Sequence, residues 1–139
     1  MPSPVFSATD TKYHSQGDIK DVVLNMQAAP NGTNPVPVFK ASYDAVVLSA
    51  TCLPLTTVNA GTATYYSVSL YDGGAAGTAT TALGGTIGGT AGVTAGSVYT
   101  LVSSPTTVSA GDYVTLNYSG TGSPTVVFTV HVRFVYRDK

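Results

Sequence analysis

The sequence predicts an all-β fold: a single antiparallel β-sandwich, jelly-roll-like, with an extended N-terminal arm. Three observations predict it. Apolar residues alternate with period two in one segment after another. Clusters of Gly, Pro, Asn and Asp punctuate those segments. No stretch keeps helical periodicity for more than a turn or two. About eight short strands with regular turns fit one domain in a chain of 139 residues.

Residues 1–17 hold two of the prolines and little alternation, and read as the arm. The sandwich is assigned to 18–139. Its first strand lies near DVVLNMQ, with Val22, Leu24 and Met26 inward. After the turn signal Pro30-Asn31-Gly32, VPVFKA gives a shorter strand. Pro35 and Pro37 make it an edge strand or an extended lead-in, because proline cannot donate to a ladder. In DAVVLSATCL, Val46, Leu48, Ala50 and Cys52 oppose Val47, Ser49 and Thr51. In TYYSVSLYD, Tyr66, Val68 and Leu70 oppose Tyr65, Ser67, Ser69 and Tyr71.

The stretch from Tyr71 to Tyr99 holds nine of the fifteen glycines. A phosphate loop needs a lysine after its glycines, and no lysine lies between Lys40 and Lys139. The dinucleotide fingerprint needs glycines at offsets 0, 2 and 5 opening a helix, a spacing that Gly84, Gly85, Gly88, Gly89, Gly92 and Gly96 never give. A flexible linker would be polar, whereas Leu83, Ile87 and Val93 punctuate this stretch. It reads as one or two small-residue strands, with Gly84-Gly85 and Gly88-Gly89 as turns, where a second backbone can come close. SVYTLVSS adds a strand. In GDYVTLNYS, Val114, Leu116 and Tyr118 oppose Tyr113, Thr115 and Asn117. The terminal PTVVFTVHVRFVYR is the longest strand. Val126, Phe128, Val130, Val132, Phe134 and Tyr136 face the core, and Val127, Thr129, His131, Arg133, Val135 and Arg137 face out.

Composition narrows the function. Only 9% of residues are charged, against about 25% in an ordinary globular protein. There is no Glu. A surface so poor in charge suits one largely covered by protein partners. The net charge of −1 and the absence of a basic stripe give no case for nucleic acid. No apolar run approaches a membrane span, and the N-terminus lacks the pattern of a signal peptide. The one cysteine, Cys52, allows no intramolecular disulfide and reads as a buried small hydrophobe.

No catalytic constellation emerges, so the reading is not an enzyme. His14 and His131 are the only histidines, too few for a metal cluster, and no cofactor or metal is expected. His131 reads as a solvated or cross-strand-paired residue. No Gly-x-Ser-x-Gly elbow occurs. Asp72 and Asp112, the acids of the central region, both stand beside glycine in turns, where Asp bonds locally. The outward tyrosines Tyr65, Tyr71 and Tyr113, with Val5, Phe6 and Tyr13 of the arm, are the candidate protein-interface residues. The same tyrosines leave open a carbohydrate- or receptor-binding sandwich of a phage fibre, tail or adhesin.

From Val36 to the end, the succession VPVFKASYDAVVLSATCLPL, GTATYYSVSLYDGG, GGTAGVTAGSVYTLVSS, VSAGDYVTLNYSGTGSP and a long last strand resembles the small β-sandwich head decoration (cement, or auxiliary capsid) proteins of tailed bacteriophages. Its elements are the LYDGG turn, the AGDYVTL strand start and the GTGSP turn; it carries no catalytic residues over. The resemblance implies a virion structural protein on the outer surface of the head, assembled in the host cytoplasm. It further implies a homo-oligomer, in particular a trimer, that clamps neighbouring subunits of the major capsid protein.

Overall fold

A computed structural model describes residues 18–137. Its nine strands form two antiparallel sheets packed face to face. The strands are β1 (Ile19–Ala28), β2 (Gly32–Lys40), β3 (Ala45–Pro54), β4 (Tyr65–Asp72), β5 (Thr81–Gly88), β6 (Tyr99–Val102), β7 (Thr106–Val108), β8 (Tyr113–Thr121) and β9 (Val126–Tyr136). One sheet runs β1-β9-β3-β6, with β7 also on β3; the other runs β2-β8-β4-β5. Early strands therefore pair with late ones: β1 with β9, β2 with β8, β3 with β6 and β4 with β5. That is the order of a jelly roll.

The core forms where the period-two faces of the two sheets meet. Val126, Phe128, Val130 and Val132 of β9 are fully buried, as are Val114 and Leu116 of β8 and Val68 and Leu70 of β4. Val22, Leu24 and Met26 of β1 pack against them from the edge. Aromatic rings bridge the sheets. Phe39 stacks on Phe134 with centroids 4.1 Å apart, and Phe128 meets Tyr66 at 5.8 Å and Tyr118 at 6.3 Å.

Two segments depart from the simple alternation. In β3 the register against β9 shifts between Val47 and Ser49. The extra residue reverses the phase of everything before it. Ala45 and Val47 are therefore buried, with Ala50 and Cys52 beyond the bulge, while Val46 and Leu48, expected inward, are only half-buried on the outer side. In the glycine-rich stretch, Gly84-Gly85 is not a turn: it lies inside β5, where the register against β4 shifts between Ser69 and Tyr71. Gly88-Gly89 does turn the chain, with φ of +85° and +69°, and a single 3-10 turn follows over Gly89–Ala91. Leu83, Ile87 and Val93 are buried, so this stretch is part of the sandwich.

A second backbone does come close to those glycines, and it belongs to the same chain. A Cβ on Gly84 would collide with the carbonyl oxygen of Leu101 and stand 3.1 Å from the Cα of Val102. β5 of one sheet thus lies against β6 of the other, and Thr106 Oγ1 donates to Leu83 O at 3.4 Å. This closes one side of the sandwich.

Cys52 is buried between the sheets, and burial pushes its thiol up to about 12. The thiolate that reacts is then nearly absent at neutral pH. The folded protein should resist a thiol reagent such as Ellman's reagent at pH 8 and take up one equivalent only on denaturation. Rapid labelling of the native chain would contradict this placement.

Candidate interaction surface

The face that can act on another molecule is built from β1 and the strands beside it. The registers align the outward side chains in rows: Ile19 with Val135 and Val46, Asp21 with Arg133 and Ser49, Val23 with His131 and Thr51, Asn25 with Thr129 and Leu53. Polar rows tie β1 to β9. Asp21 Oδ1 is bonded to His131 Nε2 at 2.8 Å and accepts from Arg133 Nε at 3.1 Å; Asn25 Oδ1 accepts from Thr129 Oγ1 at 2.8 Å. The bond from Arg133, then that from His131, holds the Asp21 carboxyl below its ordinary range. His131 is therefore cross-strand paired on the outer face. On this same face Ile19 and Val23 are each 58% exposed.

Of the six residues singled out from sequence, three lie among the described residues. Val5, Phe6 and Tyr13, like the whole arm of 1–17 and His14, lie outside the described residues. Tyr65, Tyr71 and Tyr113 do stand on the outer face of the second sheet, all half-buried. Tyr65 pairs with Thr121 at one end of β4 and Tyr71 with Thr115 at the other. At ~3.3 Å per residue that separates the two by roughly 20 Å. Tyr113 pairs with Lys40, whose Nζ lies 5.7 Å from the ring centroid. Ser69, Thr115 and Asn117 on this face are buried. Among the described residues no group hydrogen-bonds Thr115 Oγ1 or Asn117 Oδ1.

Two acids that the sequence keeps forty residues apart do meet. Asp72 ends β4 and pairs with Val114, two residues after Asp112. Asp72 makes the local bond expected of it, accepting from Gly74 N at 2.9 Å. Burial, then the charge of Asp72 and a hydrogen bond to it, raises the Asp112 carboxyl. An acid whose folded-state pKa is raised opposes folding while ionised, and its cost fades as pH falls through that raised value. Asp112→Asn should therefore melt slightly above the native chain at pH 7, with the gap closing towards pH 3. A gap that widens on acidification would contradict the pairing. Among the described residues no three His, Cys, Asp or Glu side chains gather as a metal site, and no helix is long and apolar enough to cross a membrane.

Sequence reasoning missed Ile19 and Val23. Their exposure is implicit in the inward set Val22, Leu24 and Met26, but nothing local tells that β1 lies at the edge of its sheet.

No protein-family profile matches the chain, and no curated protein matches it. Among solved structures the chain is similar to one described as Bacillus endospore appendages, a family of disulfide-linked pili. The TM-score is 0.44 at 21% identity, over 88% of this chain and 94% of that chain.

Proposed function

We propose that this chain is a non-enzymatic structural subunit that binds further copies of itself and docks on a larger protein shell. The observation that carries the reading is the outer β1 edge of the five-stranded sheet, where Ile19 and Val23 are exposed on a strand whose second side pairs with no strand among the described residues. The low charge of the chain supports it. In the form implied by the sequence resemblance, the shell is a tailed-phage head and the chain is its decoration protein, clamping neighbouring major capsid subunits from outside. That resemblance also implies a trimer, which requires a head-to-tail contact between two different surfaces. Sugar-binding sandwiches use exposed aromatic platforms, and Tyr65, Tyr71 and Tyr113 are all half-buried, which favours the structural reading over that one.

The test is to mix the purified full chain with mature empty capsids of the phage whose genome encodes it, and to sediment them. Co-sedimentation at a saturating stoichiometry, with a rise in the melting temperature of the shell, is the expected result. A chain that stays in the supernatant at every concentration overturns the capsid reading.

A further inference from the structure

The sheets have four outer edges, and they differ in how they are protected. β5 and β6 lie against each other on the closed side, with the Leu101 backbone over Gly84. β7 is only three residues long. β2 carries Pro35 and Pro37 and a register shift between Pro37 and Phe39. Each proline deletes an N–H, and such breaks are how exposed edges avoid pairing with other chains. β1 lacks these breaks, and its charges are Lys20 at one end of the core face and Asp21, already bonded to His131 and Arg133. Its ten residues run in unbroken register on β9, without Pro, Gly or bulge. Among the described residues no strand pairs with its other side.

We propose that β1 pairs antiparallel with β1 of a second copy of this chain, about a two-fold axis through Val23. This rests on the self-association part of the reading above and names its contact. Period two limits the choice of register. An antiparallel two-fold pair keeps core-facing residues opposite core-facing ones, so only registers that match residues of the same face are allowed. The charges of β1 then choose among them. Centring on Lys20 or Asp21 sets like charges directly opposite, which is unfavourable. Centring on Val22 sets the Asp21 carboxylate opposite Val23. Centring on Leu24 leaves Ile19 beyond the paired length. Centring on Val23 has none of these faults. On the outer face Val23 meets Val23, Asp21 meets Asn25 and Ile19 meets Gln27. On the core face Val22 meets Leu24 and Lys20 meets Met26, along whose thioether the lysine stem can lie with its ammonium in water. Two exposed valines become covered, and the five-stranded sheets of both copies join into one. The contact is the same surface on each copy, so the unit it builds is a dimer.

The test uses the full chain. Light scattering should give twice the chain mass of 14.1 kDa. Val23→Cys should form a disulfide-linked dimer under mild oxidation, whereas Ile19→Cys, equally exposed but opposite Gln27, should not. Val23→Lys should weaken self-association about tenfold, and mixing it with Val23→Asp should restore it. Both positions are solvent-exposed, so circular dichroism and a thermal melt should show every variant folded. Val23→Lys with the native mass, or cross-linking as efficient at Ile19 as at Val23, overturns the proposal. A native trimer with uncross-linked Val23→Cys overturns the β1 contact while self-association stands. A native monomer at every concentration overturns both.

Discussion

Phe128→Ala should destabilise the fold by about 3–5 kcal/mol, the range for emptying a buried aromatic site. Phe128 has no exposed surface and lies on β9, the strand between β1 and β3. Its ring meets Tyr66 and Tyr118, which come from β4 and β8 of the facing sheet. Truncation therefore removes contacts from both layers at once, and a strand hydrogen-bonded on both sides cannot move in to fill the space. Urea unfolding at fixed protein concentration should show a lower midpoint with an unchanged slope. The melting temperature should fall by roughly 10–15 °C. Val23→Ala, on the exposed face, should stay within about 0.5 kcal/mol at concentrations where the chain is dissociated. A loss below about 1 kcal/mol for Phe128→Ala would mean that the two sheets do not pack on this ring.

Gly84→Ala should cost about 1–3 kcal/mol, the penalty of overpacking. The new methyl would press on the backbone of Leu101 and Val102, which cannot rotate aside as a side chain can. Gly85 is the matched control. A Cβ there meets nothing within 4 Å, and its φ lies outside the left-handed region. Gly85→Ala should be neutral or stabilise by up to about 1 kcal/mol through the unfolded chain. The pair separates a packing requirement from a general dislike of losing glycine. Equal effects at the two positions would contradict the contact between β5 and β6.

The contrast between those neighbours marks how far the sequence could be read. Alternation alone placed Phe128, Leu116 and Leu70 in the core and His131 on the outside, because period two ties a side chain's face to its position in a strand. Pro35 and Pro37 placed β2 at an edge for a chemical reason, the missing N–H. Period two puts Val46 and Leu48 on the face of Ala50 and Cys52, but a bulge set by the partner strand, which local pattern does not show, turns them outward. Gly84-Gly85 looks like a turn until β6 is seen to cross it. Thr106–Val108 follows Pro105 and is too short to show a period, so local pattern does not reveal β7. The exposed edge of β1 was illegible for a related reason. Being an edge is a property of strand order, which depends on every other strand. The meeting of Asp72 with Asp112 likewise required the pairing of β4 with β8.

The glycine-rich stretch illustrates the physical division most clearly. Leu83, Ile87 and Val93 tell that it folds, and they are buried as expected. Which of its glycines are needed depends on what passes over them. Gly84 is needed for space, and Gly88 and Gly89 for a left-handed turn. Glycine has the same letter in both roles, so the distinction belongs to tertiary structure.

The central claim, that this sandwich is a self-associating structural subunit, is tested most directly by the mass of the unmodified chain in solution. Sedimentation equilibrium over a hundredfold range of concentration should show the mass rising from 14.1 kDa to twice that value. A mass of 14.1 kDa at every concentration would contradict it.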